Sequence, residues 1–375
     1  GFTLLFYNNY KQGTDSDIKT EAEKLGATFL LLKQEKQPVM VKTAKELSRL
    51  IFFFSKHLKK YFIFFIDCHF RIKQNAKKIS ELLKNFKIDL LYMNNQPSSN
   101  LEGIIASKMT GVPALQHSRI ETTLNSFEVK AVNLWLKKMI CVSEGVKNSF
   151  VRQGVDKSKC VVVYNGIAIE TVPNASRQDI RKIWGISDED ILIGTVGSLI
   201  KRKRIIDLIG AIAMVVNRSE HPVKCMIIGK GPEKENLMTK VNERTLDSRI
   251  IFTDFQSDAI SYINALDIFV MPSEKEGLPR VVLEAMLMGK PVIASDITGP
   301  SELVVNGETG FLLPVGKTGA IAAAVLGLIK NPVLRKQMGE KAKERVTRNF
   351  PVEKYVNNVN EIFEELINNG IHKIT

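Results

Sequence analysis

Short apolar runs rich in β-branched residues alternate with amphipathic stretches along most of this chain. Such alternation is typical of parallel β-sheets whose strands are joined by helices. In the first half it predicts strands at TLLFY, TFLLL, IDLLYMN, PALQH, MICVS and VVVYN. Helices are predicted between them at NAKKISELLKNF, GIIASKMTG and EGVKNSFVRQG.

The alternation restarts after a polar stretch that carries Pro and Gly, and we place a domain linker near residues 167–175. Strands are predicted at ILIGTVGS, KCMIIG, RIIFTDF, DIFVMPS and PVIASD, and helices at DLIGAIAMVV and PEKENLMTKV. Open α/β sheets bind ligands at the carboxyl ends of their strands. The pattern therefore predicts an α/β protein with two Rossmann-like domains facing a central cleft.

The composition agrees with a soluble globular protein of two domains, with 375 residues, 44% hydrophobic and 25% charged. The four cysteines are scattered and form no CxxC pair. This argues against a disulfide framework or a zinc site and favours a reducing compartment such as the cytoplasm. No apolar run approaches the roughly 18 residues of a membrane span.

The net charge of +13 points to an anionic partner. Residues 42–87 hold twelve Lys or Arg against three acidic residues, and aromatics and lysines interleave in LIFFFSKHLKKYFIFFI. This segment fits either an interfacial patch on an anionic membrane or a pair of core helices with a solvated lysine face. Nucleic acid ranks lower, because no RNP-like, helix-turn-helix or zinc-finger signature accompanies the charge.

In the stretch EKEGLPRVVLE, residues 274–284, seven residues separate Glu276 from Glu284. Predicted strands lie on both sides of it, so it joins them through a loop and a helix. Gly277 permits a tight turn, and Pro279 suits the first turn of the helix. The helix N-terminus then lies at the carboxyl edge of the sheet, where free backbone N–H groups favour an anion such as a diphosphate.

Glu276 and Glu284 would repel that diphosphate unless they bind another group. A carboxylate accepts two hydrogen bonds from a vicinal diol, and a nucleotide sugar offers diols on both sides of its diphosphate. Either glutamate alone is better explained as an ordinary loop or exposed helix residue. The turn, the helix start and the flanking strands favour the binding interpretation.

Other candidate residues follow predicted strands. Gly197 and Ser198 end one strand, and the basic run at residues 201–204 comes next, which is either a solvated charge run or a clamp for a diphosphate leaving group. Gly229 and Gly231 allow close approach of the backbone to a ligand, although their loop is not a GxGxxG motif.

His117 ends the predicted strand PALQH and would face the cleft. A lone histidine is more often structural, but this position makes it a candidate for contacting a sugar or the transition state. The sequence contains no HExxH motif, and we predict no metal site.

Residues 194–315 resemble the nucleotide-binding domain of the family 4 retaining glycosyltransferases, which have the GT-B fold. The matching segments are GSLIKRKRIIDLI, MIIGKGPEKENL, FTDFQSDAISYINALDIFVMPS, EGLPRVVLEAMLMGKPVIASDITGPSELV and NGETGFLLP. The resemblance extends back through VSEGVKNSFVRQGVDKSKCVVVYNGI and forward to NFPVEKYVNNVNEIFEEL, and so covers most of the chain. It implies an acceptor domain at 1–170, a donor domain at 171–350, and a helix at 351–375 that packs back towards the acceptor domain.

The resemblance also implies roles for the matched residues. Glu284 would hold the ribose diol, and Glu276 the hydroxyls of the donor sugar. Lys203 and Arg202 would neutralise the diphosphate, and His117 resembles the histidine that the family places near the reacting sugar. The remaining donor-binding positions would be Gly197, Ser198, Gly229, Gly231, Phe255, Gly277, Leu278 and Pro279.

Two positions depart from the family's pattern. Family members often have Arg where this chain has Ser198, which would shift the phosphate clamp onto Arg202. The family usually has a Gly-Gly turn after its first strand, whereas the corresponding loop here, NNYKQGTDSD, has only Gly13.

The resemblance implies a metal-independent enzyme that transfers a hexosyl group, with retention of configuration, from a nucleotide-diphosphate sugar. A UDP-sugar is favoured over a GDP-sugar. The acceptor would be a glycan or a lipid-linked glycan in cell-surface polysaccharide synthesis, handled at the cytoplasmic face of the membrane.

Two alternatives remain open. A two-carboxylate glycoside hydrolase would need its carboxylates about 5–9.5 Å apart, but it has no need of phosphate-binding loops. A non-catalytic binding protein could keep the same fold, although the presence of both glutamates and Lys203 counts against it.

Overall fold

The structure is a computed structural model that describes residues 3–7, 18–32 and 38–371. These residues form twelve β-strands and sixteen α-helices, and the strands make three parallel sheets of two, four and six strands. The loop with Gly13 lies outside the described residues. In the described part of the chain, no helix is both long and apolar enough to span a membrane.

The first compact unit comprises Gly1–Ile88 and Leu101–Gly111. Its two strands pair in parallel. Its elements are β1 (Thr3–Tyr7), α1 (Ile18–Lys24), β2 (Thr28–Leu32), α2 (Val39–Ile51), α3 (Lys56–Asp67), a π-helical turn (Cys68–Ile72), α4 (Lys73–Asn85) and α5 (Leu101–Thr110).

The helix α3 exposes an apolar face. None of its residues is fully buried. Leu58, Tyr61, Phe62 and Phe65 recur at the i, i+3, i+4, i+7 spacing of one helix face, and all four are exposed. The core helix interpretation of residues 42–87 is therefore wrong for α3. We call these four side chains the α3 apolar face.

The second unit comprises Asp89–Asn100 and Val112–Thr375 and contains both larger sheets. The first of them has four strands in the order β3-β4-β5-β6. Its elements are β3 (Leu91–Asn95), β4 (Ala114–Ser118), α6 (Ser126–Trp135), β5 (Lys138–Cys141), α7 (Glu144–Arg152) and β6 (Cys160–Val162).

The six-stranded sheet has the order β12-β11-β10-β7-β8-β9, so the strand order reverses between β7 and β10. Its elements are α8 (Arg177–Ile183), β7 (Ile191–Val196), α9 (Ile205–Val216), β8 (Val223–Ile228), α10 (Lys234–Asn242), β9 (Ile250–Asp254), α11 (Ala259–Ala265), β10 (Ile268–Met271), α12 (Arg280–Leu287), β11 (Val292–Ser295), α13 (Pro300–Leu303), β12 (Gly310–Leu313), α14 (Thr318–Lys330) and α15 (Pro332–Asn349). Because ligands bind where an open sheet reverses its strand order, this topology places a crevice beyond the ends of β7 and β10.

A buried charge cluster anchors α8 to the amino-terminal end of this sheet. The Asp267 carboxylate accepts hydrogen bonds from Arg177 Nη2 at 2.8 Å, from Arg181 Nη2 at 3.2 Å and from the Leu192 backbone N–H at 2.8 Å. Lys290 lies close by, and burial together with Arg177 lowers the pKa of its ammonium group to about 8. One carboxylate therefore compensates several cations.

The last helix, α16 (Val352–Ile371), crosses from the six-stranded sheet to the four-stranded one. Backbone hydrogen bonds join Ile167 to Phe350 and Val352, each at 2.9 Å. The two segments that connect the sheets, one at Ile167 and one before α16, therefore lie side by side. The apolar side chains of α16 then pack on the sheet in a cluster of Leu115, Ile140, Val163, Val359, Ile362 and Leu366.

Candidate active site

The two charged motifs of the second half meet at the strand reversal. The basic loop follows β7, the EKEGLP loop follows β10, and the two strands are hydrogen-bonded neighbours. Lys203 Nζ lies 2.6 Å from Glu276 Oε1, and Arg202 Nη1 lies 3.6 Å from Glu276 Oε2. The Lys203 and Glu276 side chains are only 14% and 9% exposed. The carboxylate is therefore already neutralised by basic side chains of the neighbouring loop.

The backbone holds these loops in register. Arg202 Nη1 donates to the Lys275 carbonyl at 2.7 Å, and the Glu274 N–H donates to the Arg202 carbonyl at 2.9 Å. Gly229 has φ = +138°, and a Cβ there would lie 2.0 Å from the Gly197 carbonyl oxygen. Glycine is therefore required at residue 229 by both conformation and space.

Gly277 brings the EKEGLP loop against the other sheet of the second unit. A Cβ at this residue would lie 1.8 Å from the backbone oxygen of Arg119, which directly follows β4. Next to it, Leu278 is buried, and its carbonyl accepts a 2.9 Å hydrogen bond from Asn165 Nδ2. The carboxyl-end loops of the two sheets are thus in direct contact at this point.

Glu284 lies in α12 with its side chain 16% exposed. Burial raises the pKa of its carboxyl group, which Arg280 lowers in part from 3.8 Å away. Arg280 itself is largely exposed, and within the described residues no group donates a hydrogen bond to this carboxylate. Glu284 is therefore a desolvated acceptor with unused hydrogen-bonding capacity.

His117 lies in β4 and is fully buried. Its Nδ1 is 2.6 Å from the Tyr92 hydroxyl, while its Nε2 has no hydrogen-bond partner among the described residues. Burial and the charge of Arg119 lower the pKa of the imidazole to about 3. The ring is therefore neutral at physiological pH and has one polar atom available.

The other predicted residues lie around this centre. Ser198 is exposed at the end of β7. A Cβ at Gly231 would lie 2.4 Å from the Leu199 carbonyl oxygen, which fixes the loop after β8 against the loop after β7. Phe255 follows β9 and is 52% exposed, with Lys230 Nζ 5.2 Å from its ring centroid. Pro279 is buried directly before the first residue of α12.

Sequence reasoning missed Arg119, which links the two sheets. Its Nη1 donates to Asn165 Oδ1 at 2.9 Å and its Nε to Asn94 Oδ1 at 2.8 Å. Asn165 in turn holds the Leu278 carbonyl. Its position in the sequence could have identified it, because Arg119 lies two residues after His117, at the end of the same strand.

Two buried hydroxyls at strand ends were also missed. Ser118 Oγ at the end of β4 and Ser273 Oγ just after β10 have no hydrogen-bond partner among the described residues. Buried polar groups without partners are costly. Each of these hydroxyls is therefore an unsatisfied polar group at the carboxyl end of a strand.

A second contact between the two sheets involves Glu302 of α13. Its carboxylate accepts hydrogen bonds from the backbone N–H groups of Glu144 and Gly145, at 2.8 and 2.9 Å, at the N-terminus of α7. Nearby, Thr298 Oγ1 donates to Glu121 Oε1 at 2.6 Å. Loops of the six-stranded sheet thus bind loops of the four-stranded sheet on this side as well.

Within the part of the chain that the structure describes, no three His, Cys, Asp or Glu side chains are grouped so as to hold a metal ion.

Two family models match the chain. Residues 176–345 match the model "Glycosyl transferases group 1", and residues 47–171 match "Glycosyltransferase Family 4". The chain is 26% identical over 314 residues to the N-acetyl-alpha-D-glucosaminyl L-malate synthase of Bacillus anthracis, which covers 78% of each protein. It is 28% identical over 305 residues to the capsular polysaccharide biosynthesis glycosyltransferase CapM of Staphylococcus aureus, covering 74% of this chain and 80% of CapM.

The fold matches that of Anabaena HepE, solved in complex with UDP, with a TM-score of 0.76 and 20% identity, over 97% of this chain and 100% of HepE. HepE has also been solved with UDP-glucose. The fold prediction of two α/β domains is confirmed by this match. The hydrolase alternative is not favoured, because both family models are glycosyltransferase models. The chain therefore belongs to the family 4 glycosyltransferases and has the GT-B fold.

Proposed function

We propose that this glycosyltransferase transfers a hexosyl group from a UDP-sugar to a glycan or lipid-linked glycan, with retention of anomeric configuration and without a metal ion. The observation that carries the proposal is the buried Lys203–Glu276 pair, which lies where the strand order reverses. It offers a cation for a diphosphate and a carboxylate for sugar hydroxyls side by side.

In the proposed complex the diphosphate binds Lys203 and Arg202, which stabilise it as it leaves. Glu276, released from those cations, accepts hydrogen bonds from the sugar hydroxyls. Glu284 supplies its unused acceptor capacity to the ribose diol. The backbone of residues 277–279 meets the phosphates, and the base lies towards Phe255.

Retention follows from a front-face route, in which the acceptor hydroxyl attacks from the side on which the diphosphate leaves. The departing diphosphate can take the proton of that hydroxyl, so this route needs no fixed nucleophile from the protein. The neutral His117 contacts the sugar through Nε2. An anomeric proton spectrum of the fresh product would show the starting configuration, and an inverted product would contradict this route.

A uridine nucleotide is favoured because HepE binds UDP and UDP-glucose on a fold that covers nearly the whole chain. The name of CapM supports a role in cell-surface polysaccharide synthesis. We assign the reaction to the cytoplasm, where nucleotide sugars are made. We also keep the proposed domain limits of 1–170, 171–350 and 351–375; the family models, which divide between residues 171 and 176, support the first of them.

A binding screen of UDP-, GDP- and ADP-sugars on the purified protein tests the donor. We expect UDP-sugars to bind and Glu284→Gln to weaken that binding about 10- to 100-fold, as for loss of hydrogen bonds to a charged group. Glu308→Gln, which changes an exposed glutamate in the turn before β12, should have no effect. Equal affinity of the parent and Glu284→Gln for the donor would contradict the role proposed for Glu284.

We further propose that the α3 apolar face docks on an anionic membrane, where a lipid-linked acceptor would be presented. Lys56 and Lys60 are exposed on the same helix, so charge and apolar area act together. The double variant Tyr61→Ser/Phe65→Ser should stop sedimentation with phosphatidylglycerol vesicles. Phe86→Ser, which changes an exposed aromatic directly after the end of α4, should not. Binding of the parent to neutral phosphatidylcholine vesicles with equal strength would contradict the electrostatic part.

A further inference from the structure

Beyond the residues already assigned, the partners of His117 define its hydrogen-bonding state. Tyr92 of β3 and His117 of β4 lie on the sheet face that α16 covers, with the Tyr92 ring 5.2 Å from Phe363 of that helix. Tyr92 Oη is 2.6 Å from His117 Nδ1. The ring of Tyr355, also from α16, lies 6.1 Å from the imidazole. His117 is therefore held between a strand neighbour and the last helix.

The direction of the hydrogen bond between Tyr92 and His117 follows from the acidity of the two groups. Burial raises the pKa of the Tyr92 hydroxyl, which therefore keeps its proton at neutral pH. A phenol hydroxyl is a stronger acid than the N–H of a neutral imidazole, so the phenol is the favoured donor of the pair. The Tyr92 hydroxyl proton is therefore directed to His117 Nδ1, 2.6 Å away.

An imidazole that accepts at Nδ1 carries its proton on Nε2 when it is neutral. His117 is neutral because burial and Arg119 both oppose its protonation. The Nε2 atom, which has no hydrogen-bond partner in the described parts of the chain, is therefore an N–H donor with no lone pair to offer. In this form the ring can donate a hydrogen bond to a sugar oxygen but cannot act as a general base.

We propose that Tyr92 is a positioning residue for glycosyl transfer, whose hydroxyl holds His117 in the Nε2-protonated tautomer and aims Nε2–H at an oxygen of the reacting sugar. This inference rests on the proposed function, since it requires that His117 contact the sugar.

Ligand-free protein labelled with ¹⁵N-histidine tests the tautomer directly. The signals of His117 are those that disappear in His117→Gln, among five histidines in the chain. In the parent we expect a protonated Nε2 and an unprotonated Nδ1 across the neutral pH range. In Tyr92→Phe, which keeps the ring that packs on Phe363, the two nitrogen signals should move towards each other as the second tautomer becomes populated.

The kinetic test uses the same variant. Loss of one hydrogen bond that matters in the transition state should lower kcat about tenfold and leave the KM for the nucleotide sugar nearly unchanged, because the donor clamp is untouched. Tyr262→Phe, which removes a hydroxyl from α11, should change neither the His117 signals nor kcat.

Three results would overturn the inference: a proton on Nδ1 in the parent, a tautomer that does not respond to Tyr92→Phe, or a responding tautomer with an unchanged kcat. Failure of the proposed function looks different. It would appear as a parent protein that transfers no sugar from any nucleotide donor, while the ligand-free spectra would still decide whether Tyr92 sets the tautomer.

Discussion

The glutamates Glu276 and Glu284 have the same side chain and opposite surroundings. Glu276 is paired with two cations, whereas Glu284 is desolvated with one loosely placed arginine. The charge of an ion-paired carboxylate is compensated by its partners, whereas the desolvation penalty of a carboxylate without close partners is not compensated. The second arrangement is expected of a residue whose partner is a ligand.

Glu284→Gln should therefore stabilise the ligand-free protein at neutral pH. Folding raises the pKa of Glu284 above its ordinary value of 4.5, so the unfolded chain loses this proton first as the pH rises. Between the pKa of the unfolded state and the raised pKa of the folded state, the free energy of unfolding therefore falls as the pH rises. The lower value persists at higher pH. In thermal unfolding without ligand, the variant should have a higher midpoint than the parent at a pH above the raised pKa of Glu284. Well below the ordinary pKa the two midpoints should be equal.

Donor binding should depend on pH in the opposite sense. Since the ribose diol needs an ionised acceptor, donor affinity in the parent should fall as the pH drops through the raised pKa of Glu284. Glu284→Gln should bind weakly with no such dependence. The desolvation described for Glu284 would be contradicted if Glu284→Gln were less stable than the parent and its donor affinity depended on pH as the parent's does.

Residues within one continuous motif could be predicted from the sequence. Glu276, Gly277 and Glu284 are close in the chain, and turn and capping preferences place them without knowledge of the fold. Arg119 and Asn165 could not be found in this way, because their contacts lie with Gly277 and Leu278, more than a hundred positions away. Only the packing of two sheets brings these atoms together.

Among the elements, the strands of both larger sheets were the most predictable part. Buried parallel strands are short apolar runs with turn residues on either side, and this pattern can be recognised within a short stretch of sequence. The order of those strands is not local. β10 lies beside β7, and this brings Glu276 into contact with Lys203. The pairing of these two strands is set by the crossover connections and not by any one segment.

The helices were predicted less completely than the strands. Seven helices were not identified from the residue pattern: α1, α6, α8, α11, α13, α14 and α15. Of these, α14 is a small-residue helix whose apolar side chains give little periodic contrast. α3 shows a further limit. Its sequence has an amphipathic pattern, but which partner covers the apolar face cannot be read from that pattern.

The attachment of α8 to the sheet depends on Asp267. Asp267→Ala should destabilise the protein by about 3–5 kcal/mol, because it leaves the buried guanidinium of Arg181 without its counter-ion. Urea unfolding followed by fluorescence or circular dichroism measures this. Glu189→Ala, an exposed substitution close to α8, should cost less than about 0.5 kcal/mol. A loss of similar size in both variants would contradict the role of the cluster.

At the scale of the whole molecule, Glu302 is a contact that helps to keep the two sheets of the second unit together. Its carboxylate satisfies two backbone N–H groups at the start of α7, where the helix dipole also favours a negative charge. α16 adds a covalent and apolar connection between the same sheets. The first contact is reversible, whereas the second requires unfolding of the helix to break.

Glu302→Ala should therefore loosen the molecule without unfolding it. We expect a larger radius of gyration in solution scattering without ligand, and a kcat/KM lower by about tenfold, as for loss of roughly 1.4 kcal/mol. The thermal midpoint should change little, because α16 remains in place. Glu308→Ala serves as the control, and a variant with unaltered scattering and turnover would show that Glu302 does not hold the sheets together.

The Lys203–Glu276 pair has one more consequence, for selectivity. A simple anion such as inorganic phosphate that occupied Lys203 would leave Glu276 with only Arg202, 3.6 Å away, as a counter-charge. A free sugar that occupied Glu276 would leave the buried Lys203 without its carboxylate. A molecule that carries a diphosphate and a sugar together compensates both partners in one event. If this pair binds the donor as proposed, inorganic phosphate and free sugars should compete poorly for the site, because only a molecule with both groups compensates both side chains.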